Sequence, residues 1–256
     1  MTESSDHRAD ITAEAQRIIA VANEQGVTLR LLGGLAIRLH APSATHRTLA
    51  RSYPDIDLAT PRREGQAAET LLSGLGYTPD KSFNLLNGAS RLLFYDPAYE
   101  RQVDVFVGSF EMCHRIPITE RLQLEPLTLP LAELLLTKLQ IVQINEKDLR
   151  DLLALLLDHP LGAIDHETIN VAHISGLCGN DWGLWKTVTI NLDKLRSFTS
   201  SYELPGPARQ TIQERIDELR RSLDTAPKSL KWKTRAAIGE RMRWYDLPEE
   251  VQLRSP

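Results

Sequence analysis

An α+β fold, in which a small β-sheet is followed by a mainly helical region, is the fold class that the sequence predicts. In the first half of the chain, short apolar runs bounded by glycine, proline and aspartate are typical of β-strands, and helical patterns separate them. From Thr128 onward, leucines recur at helical spacing over long stretches. We therefore expect two domains, with the sheet in residues 1–125 and most of the helices in residues 126–256.

The composition is that of an ordinary soluble globular protein, with 42% hydrophobic and 25% charged residues. No apolar run reaches the roughly 18 residues that a membrane-spanning helix requires. Residues 1–10 are polar and lack the apolar core of a signal peptide, so we expect a cytoplasmic protein without a membrane partner. Cys113 and Cys178 lie too far apart in sequence to suggest a zinc site or a disulfide framework. The net charge of −4 argues against indiscriminate coating of nucleic acid but allows a local basic patch.

The first elements follow the order helix, strand, helix. Apolar residues at helical spacing predict an amphipathic helix near residues 11–25, and residues 27–32 form a strand candidate. Gly33 and Gly34 follow this strand and precede a short helix at residues 35–40. Glycines at such a turn let backbone amides approach an anion, and the helix N-terminus adds partial positive charge. The alternative is that the glycines only allow the chain to turn.

Two aspartates separated by one isoleucine stand out in residues 52–59. In a short strand, Asp55 and Asp57 would point to one face, while Ile56 and Leu58 would point into the core. Two carboxylates held this close repel each other unless a cation lies between them. The pattern therefore indicates a divalent metal. The alternative is a turn at Asp55 and a solvated edge position for Asp57.

A third aspartate lies on a later strand candidate. After a helix predicted from Thr60 to about residue 76, residues 91–95 and 102–107 have the pattern of two strands joined by a turn. Valines alternate along the second strand, so that Asp104 faces away from a buried row. The alternative for Asp104 is a solvated strand face.

The leucine-rich region contains one lysine in an apolar stripe. With the 100° rotation per residue of an α-helix, Lys138 falls in the middle of that stripe. This position is unfavourable for a lysine unless its ammonium group reaches an anion or water. The stretch that begins at Asn145 resembles a capping box with Asp148 three residues later. Asp148 and Asp151 then share a face with buried leucines, and capping alone is a sufficient explanation for Asp148.

The last hundred residues contain fewer signals. We expect connecting loops with one short helix at residues 159–185 and an amphipathic helix at residues 207–223. Residues 228–245 then combine six lysines and arginines with Trp232, Trp244 and Tyr245. Such a tail is able to hold RNA through phosphate contacts and stacking. The alternative is a solvated helix face that covers buried tryptophans.

Taken together, the Gly33-Gly34 turn after a strand, the pair Asp55 and Asp57 on the next strand and Asp104 on a later strand resemble the nucleotidyltransferase superfamily. Distant relatives in that superfamily include DNA polymerase beta. Its pattern is a Gly-Gly or Gly-Ser turn, an Asp-x-Asp pair between apolar residues, and a third acid on a neighbouring strand. The specific signal is the combination, since each motif alone is weak.

The resemblance extends into the leucine-rich region. Lys138 and the stretch Lys147-Asp148 with Asp151 look like the lysine and the Lys-Asp-x-x-Asp motif of the AbiEii and MenT type nucleotidyltransferase toxins. All of these motifs together cover roughly residues 27–157. The resemblance implies a nucleotidyltransferase domain with a small mixed sheet, followed by a helical C-terminal domain.

The resemblance also implies a role for each matching residue. Asp55, Asp57 and Asp104 would hold two Mg²⁺ ions that bridge the nucleotide phosphates, and Asp104 would also take the proton of the acceptor hydroxyl. The residues expected to bind the triphosphate are Gly33, Gly34, Ser52 and Lys138. Asp148 would support Lys138 or the acceptor.

The expected activity is the transfer of a nucleoside monophosphate from a nucleoside triphosphate to a hydroxyl. The toxin resemblance suggests the 3′ end of a tRNA as the acceptor, and it implies a cognate antitoxin or kinase partner. Alternatives are a small-molecule transferase that modifies an antibiotic hydroxyl, a protein side chain as the acceptor, and a non-catalytic nucleotide-binding scaffold. A tRNA acceptor predicts that the basic tail shares a cleft with Asp55, whereas a small acceptor predicts an enclosed acidic pocket.

Overall fold

The computed structural model describes residues 9–247 and has an α+β fold. A sheet lies in the first part of the chain, and the second part is helical. The strands are β1 (Arg30–Leu32), β2 (Ile56–Thr60), β3 (Thr78–Pro79), β4 (Arg91–Asp96), β5 (Arg101–Val107), β6 (Ser109–Glu111), β7 (Arg115–Pro117), β8 (Leu161–Gly162) and β9 (Ile169–Asn170). The α-helices are α1 (Ile11–Glu24), α2 (Gly33–His40), α3 (Gly65–Gly74), α4 (Lys81–Asn87), α5 (Leu131–Leu139), α6 (Glu146–Asp158), α7 (Val171–Asn180), α8 (Trp182–Ser201), α9 (Gly206–Thr225) and α10 (Leu230–Ile238).

The main sheet has five strands in the order β1-β2-β5-β4-β3. Strand β2 pairs antiparallel with β1 and parallel with β5, and β4 pairs antiparallel with β5 and β3. The sheet is therefore mixed, as expected. Because β2 and β5 are inner strands of the sheet, their valine, leucine and isoleucine side chains lie in the core.

Side-chain caps explain where several helices begin. In α6, Asn145 accepts from the backbone of Asp148 while Asp148 accepts from the backbone of Asn145, so the predicted capping box is present. Asp10 caps α1, and Asp181 caps α8. These contacts satisfy backbone N–H groups that a helix N-terminus leaves without partners.

The longest element of the helical part that the sequence did not predict is the twenty-residue helix α8, at residues 182–201. Loops and one short helix were expected only for residues 159–185, and no element was predicted for residues 186–206. The reading gave weight to nearby glycines and tryptophans, but Leu184, Val188, Leu192 and Leu195 form a buried face that repeats at helical spacing. Helix α8 also reaches back to α5, because the Asn191 side-chain amide donates to the carbonyl oxygens of Leu139 (2.8 Å) and Ile141 (2.7 Å).

Two expected boundaries move in the structure. Strand β1 begins at Arg30 rather than at residue 27. Thr60 ends β2 instead of capping a helix, and a short 3₁₀ helix (Arg62–Glu64) precedes α3. The backbone of Thr60 takes part in the β2–β5 ladder, and this pairing outweighs the local preference of a threonine before proline for a helix cap.

Cys113 and Cys178 are both buried and unpaired. No helix within residues 9–247 is both long enough and apolar enough to span a membrane. The expectation about residues 1–10 concerns a segment most of which lies outside the described residues.

Candidate functional site

Gly33 and Gly34 form the turn at the centre of the candidate site. Gly33 begins α2 directly after β1 and has φ +70°, a left-handed conformation that favours glycine. A Cβ on Gly33 would lie 2.0 Å from Asp57 Oδ2, and a Cβ on Gly34 would lie 1.6 Å from Arg51 Nη2. The space that side chains would fill at this turn is therefore taken by a carboxylate and a guanidinium. Glycine is needed at both positions for that reason.

Asp57 and Asp104 are direct neighbours on the two central strands. Strands β2 and β5 are parallel, and their register places Asp57 opposite Asp104. Asp104 is only 3% exposed, so the alternative of a solvated strand face is wrong. Asp55 immediately precedes β2 instead of lying in it, and it is exposed. The structure thus brings two of the three predicted carboxylates together in the sheet and places the third at its rim.

The crowding of carboxylates changes their acidity. Burial, followed by the charge of Asp104, raises the pKa of Asp57 from 3.8 to about 7. Partial burial and Asp104 also raise the pKa of Asp55, against the opposing effect of Lys147 and Arg51. Lys138 and Arg91 act to lower the pKa of Asp57 but do not compensate for burial and the neighbouring acids. Full ionisation of these acids is therefore unfavourable without a further cation.

Two side chains of the sheet hold the carboxylate of Asp104. Arg91 Nε of β4 donates to Oδ1 at 2.7 Å, and Gln102 Nε2 donates to Oδ2 at 2.6 Å. Each carboxylate oxygen has a further lone pair, so these two bonds orient Asp104 and leave it able to bind a cation. We call Asp55, Asp57 and Asp104, with Arg91 and Gln102, the aspartate cluster.

A second charged group lies on the helical side of the turn. Lys138 of α5 contacts Asp148 at 2.8 Å and Asp151 at 3.1 Å, both on α6. Arg51 forms a two-pronged pair with the same Asp151, from Nε to Oδ1 at 2.8 Å and from Nη2 to Oδ2 at 2.6 Å. We call Arg51, Lys138, Asp148 and Asp151 the ion-pair cluster. Its two cations and two anions balance.

The ion-pair cluster explains how a lysine is tolerated in an apolar stripe. Burial acts to lower the pKa of Lys138, but Asp151 and Asp148 outweigh burial, so that its pKa is raised. Lys138 thus remains charged through paired carboxylates rather than by reaching into water. Its charge also acts on Asp57, which places the two clusters side by side.

The donor chemistry of the aspartate cluster fits magnesium. Magnesium binds carboxylate oxygens through one or two residues and leaves other positions to water and substrate phosphates. The raised pKa of Asp57 is the effect that a bound cation would relieve. Within residues 9–247, however, no three His, Cys, Asp or Glu side chains are already gathered around a common point.

The structure brings most of the predicted site residues close to the glycine turn, whereas the Ser52 side chain makes no described contact there. Gly33, Asp57 and Asp104 lie together, and Lys138 meets Asp148 nearby. The Ser52 side chain is exposed, and the contact described for this residue is the one from Arg51 Nη1 to its carbonyl oxygen at 2.9 Å.

The sequence reading missed Arg51, Arg91 and Gln102. Gln102 lies two residues before Asp104 on the same strand, so strand alternation places both side chains on one face, and this was a usable signal. Arg51 and Asp151 are 100 residues apart, and only the folded chain brings them together.

The basic aromatic tail borders a cleft of its own. This cleft has a volume of about 780 Å³, and its lining does not include the three aspartates. Arg235 is held by the carbonyl oxygens of Gly239 and Met242, each at 2.7 Å, and its guanidinium lies 4.7 Å from the centre of the Trp182 ring. Arg235 therefore braces the tail. The other cations and the aromatic residues of the lining are Arg115, Lys231, Arg243, Trp182, Trp244 and Tyr245.

Comparison with known proteins gives no further assignment, because no protein-family model matches this chain and the curated proteins contain no match to it. Function is therefore inferred from the geometry and charge of the two clusters.

Proposed function

We propose that this protein is a magnesium-dependent nucleotidyltransferase that transfers a nucleoside monophosphate from a nucleoside triphosphate to a hydroxyl group. The observation that carries the proposal is the pairing of Asp57 with Asp104 on neighbouring parallel strands, with the Asp57 carboxylate against Gly33. This arrangement joins an acidic pair, a strand-to-helix turn and the N-terminus of α2 at one place. An acidic pair suits divalent cations, and a turn of this kind suits phosphates.

Each group has a defined part in the proposed reaction. The acceptor oxygen bonds to the α-phosphorus, the bond from that phosphorus to the bridging oxygen of the β-phosphate breaks, and pyrophosphate leaves. Asp55, Asp57 and Asp104 would hold Mg²⁺, which would supply charge stabilisation for the attacking and leaving oxygens. Asp104 accepts the proton of the acceptor hydroxyl, while Arg91 and Gln102 fix the direction of its oxygens.

The acceptor that we propose is a nucleic acid such as tRNA. Arg115, Lys231 and Arg243 beside aromatic rings in the C-terminal cleft support this choice, since cations and rings together hold phosphates and bases. The lining of the cleft excludes the aspartates, so an acceptor bound there would have to extend from the cleft to the sheet. Among the described residues, the shared cleft that a tRNA acceptor predicts is therefore not found, and the proposal of a tRNA acceptor depends on the cations and rings of the C-terminal cleft.

The test is incubation of the protein with each α-labelled nucleoside triphosphate, Mg²⁺ and total tRNA. We expect label in tRNA from the native chain and a loss of about 10²- to 10³-fold for Asp57→Asn, because a charged group at the reacting centre is removed. Glu146→Gln is the matched control, since Glu146 is an exposed acid on α6, 58% accessible.

Three outcomes of this experiment are informative. Equal labelling by the native chain and Asp57→Asn would refute the proposed role of the aspartate cluster. Nucleotide binding without label in tRNA would direct the search to small hydroxyl acceptors such as an antibiotic. Failure to bind any nucleotide would refute the enzyme proposal and also the nucleotide-binding scaffold.

A further inference from the structure

Arg51 is the best-positioned cation that the proposed reaction does not yet use. It lies in the loop before β2, four residues before Asp55, and its side chain is 10% exposed. Its two-pronged pair with Asp151 fixes both the position and the plane of the guanidinium. The ring of Tyr53 lies 4.1 Å from the guanidinium carbon and covers one face. Arg51 is therefore held in one orientation before any ligand arrives.

The guanidinium lies directly on the glycine turn. Nη2 occupies the place that a Cβ on Gly34 would take, 1.6 Å from that position. The same Asp151 oxygen that accepts from Nη2 at 2.6 Å also meets Lys138 Nζ at 3.1 Å. Two cations thus converge on one carboxylate oxygen beside the turn.

A count of donors shows what Arg51 offers to a ligand. A guanidinium has five N–H groups. In the part of the chain that the structure describes, Asp151 takes one from Nε and one from Nη2, and the Ser52 carbonyl oxygen takes one from Nη1. One N–H on each terminal nitrogen is left for an anionic oxygen. Planar, paired donors of this kind suit phosphate better than a lysine does.

We propose that Arg51 binds the polyphosphate of the nucleotide together with Lys138, and that Asp151 is the positioning residue that holds both cations at the turn. This inference rests on the proposed function. It adds Arg51, which is not among the residues of the motifs that suggested that function. Because Asp148 and Asp151 balance the two cations, the cluster contributes directed hydrogen bonds rather than a large excess of positive charge. Selectivity for triphosphate over monophosphate follows, since a longer polyphosphate reaches more of these donors.

The experiment measures the binding of a non-hydrolysable nucleoside triphosphate analogue, and of the matching monophosphate, to the full chain with Mg²⁺ by calorimetry. We expect Arg51→Gln to weaken triphosphate binding about 10- to 100-fold, because hydrogen bonds to charged groups are lost. Monophosphate binding should change less than about 3-fold. Arg51→Lys should recover part of the loss, since it restores the charge without the paired donors.

Arg121→Gln is the matched control. Arg121 also pairs with a buried acid, from Nε to Glu133 Oε1 at 2.6 Å, and its side chain is 16% exposed. Its replacement should lower stability in a similar way and leave triphosphate affinity unchanged. Binding is measured below the lowest melting temperature among the native chain and its variants. If Arg51→Gln does not fold, Arg51→Lys takes its place in the comparison.

The outcomes separate this inference from the proposed function. If the native chain binds triphosphate and every Arg51 variant binds it equally well, Arg51 is only a structural residue and the proposed function stands. An equal loss of affinity in Arg51→Gln and Arg121→Gln would also refute the inference, because general destabilisation would then be the cause. If the native chain binds no triphosphate, both the inference and the proposed function are wrong.

Discussion

The aspartate cluster and the ion-pair cluster lie on two sides of one glycine turn and handle charge in opposite ways. In the ion-pair cluster, two cations and two carboxylates neutralise each other within 3.1 Å. In the aspartate cluster, Arg91 contacts Asp104, and the pKa of Asp57 is raised to about 7. The charges of the ion-pair cluster balance without a ligand, whereas the aspartate cluster contains an acid whose pKa a bound cation would lower.

The largest expected effect is loss of the carboxylate that joins the ion-pair cluster. Asp151→Ala leaves Lys138 and Arg51 buried without their shared partner, which should lower the free energy of unfolding by about 3–5 kcal/mol. Glu146→Ala, on the same helix, removes an exposed pair with Arg150 and should lower it by less than about 0.5 kcal/mol. Chemical denaturation of both variants checks this. A similar small effect for the two would show that the ion-pair cluster does not stabilise the fold.

The next effect is a gain in stability when Asp57, the half-buried acid of the aspartate cluster, is neutralised. The pKa of Asp57 is about 7 in the folded chain against 3.8 ordinarily, so the metal-free protein loses stability as the pH rises from about 4 to above 7. Asp57→Asn removes that loss. At pH 8 we expect the variant to be more stable than the native chain by about 1–4 kcal/mol.

The control for this prediction is the same comparison at pH 4, where the two chains should be almost equally stable. Denaturation in the presence of EDTA gives both values. A stability difference that does not grow with pH would contradict the raised pKa of Asp57. Added Mg²⁺ should stabilise the native chain at pH 8 and have little effect on Asp57→Asn.

The smallest effect concerns an exposed cation near the aspartate cluster. Lys147 acts to lower the pKa of Asp55 from a solvated position, so its charge also opposes a metal ion there. Lys147→Ala should tighten Mg²⁺ binding by about 2-fold at low salt, and less at high salt because ions screen exposed charges. Stability should change by less than about 0.5 kcal/mol. Weaker Mg²⁺ binding would instead assign Lys147 a direct part in the site.

Local patterns were enough to predict the central elements of the fold and the acids of the site. Strand alternation identified β4 and β5 and marked Asp57 and Asp104, and the capping box of α6 was readable from Asn145 and Asp148. These signals depend on residues within a few positions of each other. The sequence also marked Lys138 as a lysine in an apolar stripe. It did not decide whether Asp148 caps α6 or supports Lys138.

The parts that were missed depend on contacts across the chain. The parallel register that places Asp57 opposite Asp104 is a property of the assembled sheet. Arg51 reaches Asp151 only because the loop before β2 packs against α6. The two glycines do more than allow the chain to turn, because a carboxylate and a guanidinium occupy the space beside them.

The contact from Asn191 to the end of α5 has a consequence for the order in which the protein matures during synthesis. Lys138 lies in the last turn of α5, and the carbonyl oxygens that follow it are held by a side chain about fifty residues later, in α8. A growing chain that has released the sheet, α5 and α6 therefore contains both charged clusters, and the end of α5 that carries Lys138 gains this contact only after α8 has left the ribosome.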